Sequence, residues 1–157
     1  MTRTLILIRH AQAVSQRLGS SDKDRQLTER GERDAEQAGE ELRKLGLVPE
    51  LVLSSSATRT KQTTALVFPG ATARYEDGLY QAYAEELLER LRRLDPDLST
   101  VALCGHNPAV HELAVMLTGD VTGFEPGTFA VIECAAPWPE LSTGEGEQVT
   151  RWCPTQS

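Results

Sequence analysis

Apolar residues fall into short blocks along the chain, and the spacing within them alternates between two periods. Residues 4–8, Thr-Leu-Ile-Leu-Ile, form a continuous and partly β-branched run, the pattern of a strand covered on both faces. From Glu29 to Leu45 the spacing becomes that of an amphipathic helix. Ala35, Ala38, Gly39, Leu42 and Leu45 share one face, and charged residues fill the other. Thr28 suits the N-cap of this helix and Gly46 its stop. The alternation then repeats: strands are expected at 51–53, 72–75, 100–104 and 129–134, with helices at 57–67, 84–94 and 108–117. Asn107 and Pro108 fit the N-cap and first helical position of the last helix. The stretch 137–147, rich in Pro, Gly, Ser, Thr and Glu, reads as a long turn or mobile loop before a final short strand at 148–152.

Strands separated by helices predict an α/β fold: a three-layer α/β/α sandwich around a mainly parallel sheet. At 157 residues the chain suits a single domain spanning 1–157. In such sheets ligands bind at the carboxyl ends of strands, near the point where strand order switches. That rule selects Arg9-His10 after the first strand, 54–59 after the second, and Gly105-His106-Asn107 after the fourth. Each residue has a plainer reading. A strand-end histidine is more often structural, an arginine there is usually a solvated cap, and Gly-His-Asn-Pro can simply start a helix. Together, His10, His106, Arg9 and Arg59 make a cluster whose mutual repulsion is relieved by a dianion in its midst.

The formal net charge of -7 argues against nucleic acid or an anionic membrane as a partner. It leaves room for a phosphorylated substrate, because a few arginines reverse the field locally. Cys104, Cys134 and Cys153 have no metal-ligand spacing, and scattered free thiols fit a reducing compartment. The apolar run 5–8 is too short for a signal core or a membrane span, so a cytoplasmic location is expected. His106 and His111 are five apart, about 140° around a helix, which disfavours a zinc site. Cys104 lies on a buried strand, where a thiol is inert.

Leu7-Ile8-Arg9-His10-Ala11 resembles the Arg-His-Gly signature of the histidine phosphatase superfamily. Ser54-Ser55-Ser56-Ala57-Thr58-Arg59-Thr60, followed by Gln62-Thr63, is similar to that family's second signature, and Gly105-His106-Asn107 to its third. Asp24-Arg25, Leu27-Thr28 and Gly31 match a further element ahead of the first long helix. The short chain, Arg-His-Ala in place of Arg-His-Gly, and Gly78-Leu79-Tyr80-Gln81-Ala82 make the SixA branch of phosphohistidine phosphatases the best match. The resemblance implies a phosphoglycerate mutase-like fold and a phosphatase working through a phosphohistidine on His10. It gives phosphate-binding roles to Arg9, Arg59 and His106, the last protonated when phosphate is bound. It implies no metal and no cofactor. The partner is a phosphorylated protein, with phosphohistidine as the substrate group, or a small phosphorylated molecule. A small-ester phosphatase and a non-catalytic phosphate-binding module are the alternatives.

A proton donor for the leaving group is not evident. Aligning on Leu79 puts Gln81 at the place where many relatives carry a carboxylic acid, whereas aligning on the strand end selects Glu76 or Asp77. The first register is preferred, which makes Glu76 and Asp77 turn residues. Without an acid, an N-linked phosphoryl group is the better substrate, since imidazole leaves more easily than an alcohol. Gln16 lies where some relatives contact phosphate, but its direction is open. Asp24 and Arg25 are expected to form a solvated ion pair.

Overall fold

The computed structural model describes residues 2–155. It contains six strands, β1 (Arg3–Arg9), β2 (Leu51–Ser55), β3 (Ala73–Glu76), β4 (Thr100–Gly105), β5 (Phe129–Cys134) and β6 (Gly146–Trp152), in one sheet. Four helices accompany them: α1 (Glu29–Lys44), α2 (Thr58–Val67), α3 (Ala84–Arg92) and α4 (Ala109–Thr118). The strand order is β3-β2-β4-β1-β5-β6. β3, β2, β4 and β1 run parallel, β5 is antiparallel to β1, and β6 is antiparallel to β5. The expected three-layer sandwich with a mainly parallel sheet is therefore present.

The layers follow from side-chain alternation along the strands. Leu5, Leu7, Leu53 and Leu103 point to one face and pack with Leu87 and Leu91 of α3 and Leu113 and Leu117 of α4. Ile6, Ile8, Val52 and Cys104 point to the other and meet Ala35, Ala38 and Leu42 of α1 and Val67 of α2. Gly39 lets α1 and α2 approach closely, since a Cβ there would lie 2.7 Å from the Val67 carbonyl oxygen. The chain leaves β1 over the α1–α2 face as far as β3, then returns over the α3–α4 face to insert β4 beside β1. The long crossovers obey the rule that parallel neighbours need a helix between them.

Helix ends agree with the sequence reading to within a few residues. The Thr28 side chain accepts from Gly31 N at 3.0 Å, and Gly46 (φ 73°) follows the last turn of α1. Pro108 occupies the N-cap of α4 rather than its first helical position, while Asn107 Oδ1 still accepts from His111 N at 3.3 Å. The 137–147 stretch differs from expectation. Pro137 precedes a short 3-10 turn (Trp138–Glu140) whose tryptophan is wholly buried, with Nε1 donating to the Leu98 carbonyl at 2.7 Å. Its loop-like composition conceals one large anchor that seals the α3–α4 face.

Candidate active site

Registers Arg9↔Gly105 and Ser54↔Cys104 bring the ends of β1, β4 and β2 level. Strict alternation along a strand would send Arg9 and His10 to opposite faces. β1 ends at Arg9, however, and His10 leaves the ladder with its N–H bonded to the Gly105 carbonyl at 3.1 Å. His10 is therefore turned toward His106, with ring centroids 5.3 Å apart. Helices α2 and α4 start just beyond β2 and β4, so two positive dipole ends face this edge.

His10 is buried, and its Nδ1 lies 2.8 Å from the Ala11 carbonyl oxygen. A carbonyl only accepts, so Nδ1 carries the ring proton and Nε2 keeps its lone pair. Burial, together with the charges of His106, Arg59 and Arg9, pulls the His10 pKa down to about 3 against the raising effect of that hydrogen bond. The ring is thus neutral at physiological pH and free to attack through Nε2. Ala11 is held in turn by Thr63, whose Oγ1 accepts Ala11 N at 3.0 Å and donates to the Arg59 carbonyl at 2.7 Å.

His106 Nε2 lies 2.8 Å from Ser55 Oγ. That hydroxyl already accepts Ala57 N at 3.2 Å, so its own proton is available to Nε2. The arrangement leaves the proton of a neutral His106 on Nδ1, which is buried and has no partner. Burial and Arg59 draw the pKa of His106 down to about 4, with Asp22 opposing them. Two neutral rings in place of two imidazolium ions ease the repulsion that the sequence suggests.

Arg9 Nη1 donates to the Phe124 carbonyl at 3.0 Å, while its buried Nε is unpartnered. Desolvation lowers the Arg9 pKa from its ordinary value, and Arg59 adds to the effect. Arg59, buried on the first turn of α2, donates Nη1 to the Asp22 carbonyl at 2.8 Å and Nη2 to Asp22 Oδ2 at 3.0 Å. Its Nε is likewise buried and unpaired. Arg9 Nε, Arg59 Nε and His106 Nδ1 are therefore three buried polar groups with no protein partner, on residues whose charges all act on His10. An unmet buried donor costs about 1–3 kcal/mol, and an anion received among them removes that cost.

The structure brings together all four residues expected from sequence, and it adds Asp22, Ser55, Thr63 and Tyr80. Asp22 replaces Asp24 as the partner of Arg25, at 2.9 Å, whereas Asp24 accepts from Ser21 Oγ. Sequence adjacency suggested the wrong acid, because the 3-10 turn Asp22–Asp24 places the residue three back, not the one beside, against Arg25. The Tyr80 hydroxyl donates to Asp22 Oδ2 at 2.6 Å, and its ring packs edge-on against His106. Gln16 is exposed and donates to the Ser20 carbonyl. His111 Nε2 meets the Val121 carbonyl at 3.1 Å, and burial pushes the Cys104 thiol up to about 12.

A groove of about 560 Å³ runs from Arg59 and His106 past Tyr80, Gln81 and Tyr83 to Pro108 and Glu112. Gln81 lines it, and Glu76 and Asp77 do not. Glu76 is held by Arg90 through two bonds of 2.8 and 2.9 Å, which lower its pKa. Asp77 is exposed and bonded to Ser56 and Lys23.

Residues 5–87 match the model of the histidine phosphatase superfamily (branch 1). The chain is 36% identical over 132 residues to an uncharacterized chloroplastic protein of Arabidopsis thaliana, covering 76% of this chain and 61% of that protein's length. A protein of Nakamurella multipartitia assigned as phosphohistidine phosphatase SixA superposes with a TM-score of 0.91 at 32% identity, covering 99% of this chain and 98% of its own. A protein of Agrobacterium tumefaciens with the same assignment gives 0.84 at 27% identity, covering 97% and 98%. The chain belongs to the histidine phosphatase superfamily. Within it, the chain is of the SixA type, with the phosphoglycerate mutase-like architecture. No helix among the described residues is long and apolar enough to cross a membrane.

Proposed function

We propose that this protein is a phosphatase that takes a phosphoryl group onto His10 Nε2 and then passes it to water, with protein-borne phosphohistidine as substrate. The observation that carries this reading is the locked tautomer of His10, neutral and lone-pair-outward, set among unpaired donors of Arg9, Arg59 and His106. In the first step Nε2 bonds to phosphorus as the bond from phosphorus to the substrate nitrogen breaks, and the substrate ring, protonated on its other nitrogen, departs with that electron pair as neutral imidazole. In the second, water bonds to phosphorus and passes a proton to solvent, and Nε2 recovers its lone pair as the P–N bond breaks and inorganic phosphate leaves. Arg9 and Arg59 neutralise the charge spread over the equatorial oxygens. His106 gives Nδ1–H, and a bound dianion favours its protonated form.

Phosphohistidine as substrate is supported by the groove. Gln81, which aligns with the acid of many relatives, lines it, and an amide does not donate as a general acid; the groove's carboxylates are Asp22, bonded to Arg59 and Tyr80, and Glu112. The relatives from Nakamurella and Agrobacterium carry the same assignment. Three free thiols, Cys104, Cys134 and Cys153, suit the reducing cytoplasm, where we locate the protein. The test is His10→Ala beside wild type, on a phosphohistidine peptide, an aryl phosphate and an alkyl phosphate. Loss of at least about 10³-fold in kcat is expected for the variant. Wild type should turn over phosphohistidine far faster than the alkyl ester. Retained activity in His10→Ala overturns the nucleophile, and equal rates on the two substrates overturn the substrate.

A further inference from the structure

Arg59 is expected to present a fork of N–H groups to phosphate, yet both its terminal nitrogens are already engaged. Nη1 is on the main-chain carbonyl of Asp22 and Nη2 on its carboxylate. A guanidinium has two usable edges: an end-on fork from its two terminal nitrogens and a side-on fork from Nε and the neighbouring terminal nitrogen. Asp22 fills the end-on fork. The side-on edge remains, and its Nε is the buried nitrogen without a partner.

We propose that Asp22 is the positioning residue of the phosphate clamp, gripping Arg59 end-on so that the guanidinium faces the phosphoryl site side-on. Two further contacts hold Asp22 to this task. Oδ2 also receives the Tyr80 hydroxyl, and Oδ1 receives Arg25 Nη1. Arg25 is itself anchored by Nε on the Val14 carbonyl at 2.6 Å. The Lys23–Asp77 ion pair ties the same turn to the residue that follows β3. The Tyr80 hydroxyl, followed by Arg25 and Arg59, holds the Asp22 carboxyl well below the usual carboxylate range, so it is ionised wherever the enzyme works. Asp22 also supplies negative charge to the Arg59 and His106 side of the cluster, as Glu125 does to Arg9.

This inference rests on the phosphoryl-transfer reading above, and its test separates the two. Asp22→Ala and Asp22→Asn remove the same charge, but only asparagine keeps a side-chain oxygen for Arg59 Nη2. Field and geometry therefore predict different patterns. Loss of the charge alone changes both variants alike and favours anion binding. Loss of orientation lowers kcat in Asp22→Ala and spares Asp22→Asn. With an aryl phosphate, we expect kcat to fall about 10- to 100-fold in Asp22→Ala, the scale of a displaced catalytic contact, and no more than about 3-fold in Asp22→Asn. Tyr80→Phe should fall between them, and melting temperatures establish that each variant is folded. Equal losses in the two Asp22 variants overturn the proposal, as does a wild-type or raised kcat in Asp22→Ala. If Asp22→Ala does not fold, an unchanged kcat in Tyr80→Phe overturns it. His10→Ala runs in the same assay. If that variant stays active the phosphoryl-transfer reading fails, whereas an inactive His10→Ala beside a normal Asp22→Ala removes only the role of Asp22.

Discussion

Holding two imidazoles neutral in a buried site makes the fold sensitive to acid, by an amount that can be worked out. The folded pKa values, about 3 for His10 and about 4 for His106, lie below the value of about 6.5 that both adopt in the unfolded chain. Between these limits the unfolded chain binds more protons, so stability falls as pH falls. The effect is absent above about pH 7, grows by up to about 1.4 kcal/mol per pH unit for each ring, and levels off below the folded pKa values. At pH 5 each histidine costs about 2 kcal/mol, together about 4, a large part of a typical stability of about 5–15 kcal/mol. The assay is urea unfolding at pH 8, 7, 6 and 5 for wild type, His10→Gln and His106→Gln. Carboxylates titrate in all three proteins, so the difference in slope isolates the imidazole. Each variant should lose about one proton's worth of slope between pH 6.5 and 5. Saturating inorganic phosphate should offset the acid loss in wild type, because a bound anion favours the protonated rings and binds only the folded chain. If His10→Gln keeps the full slope of wild type, His10 is not held neutral by burial, and the argument for a free Nε2 falls with it.

Thr63→Val should orphan the buried Ala11 N–H and cost about 1–3 kcal/mol, lowering the melting temperature by several degrees. Thr63→Ser keeps the hydroxyl and should stay close to wild type; equal melting of Val and wild type would show that this bond carries no weight. Gly31→Ala would place a Cβ 2.1 Å from the Gln12 carbonyl oxygen in the first turn of α1. Despite the better helix propensity of alanine, it should destabilise by about 1–3 kcal/mol in urea unfolding, and a stabilised variant would contradict the close approach.

The readable parts of the molecule were those governed by repetition. β1 and β4 are buried on both faces, so their apolar runs were plain, and α1 carries both its caps in its own sequence. The strand-end rule then placed His10, His106, Arg9 and Arg59 together without reference to side-chain geometry. Asp22 was not readable. It lies in the irregular stretch between β1 and α1, where no period fixes a direction, and its main partner Arg59 is 37 residues away. Tyr80 depends on the same long-range meeting. Its neighbour Leu79 drew attention as a branch marker, but nothing local aims the hydroxyl. Trp138 was hidden by its surroundings, since a Pro, Gly and Ser context reads as solvent-exposed even around a wholly buried ring. Glu76 and Asp77 were left open by sequence because either register suits a turn; the two bonds from Arg90 to Glu76 depend on a side chain 14 residues on.

The position of β4 bears on how the protein is made. β4 lies between β1 and β2, so the two strands that carry Arg9-His10 and Ser54-Ser55 have no ladder with each other. Until residues 100–105 have left the ribosome, β1 lacks its parallel neighbour, and the carbonyl of Gly105 that receives His10 N–H does not exist. The first hundred residues of the nascent chain, which include residues 5–87 that match the family model, therefore lack the central strand of the sheet until β4 is made. Such a chain is a natural client for a chaperone and an easy substrate for proteases. Chains interrupted before β4 should be catalytically silent, so phosphatase activity in an extract reports completed translation and folding rather than total polypeptide.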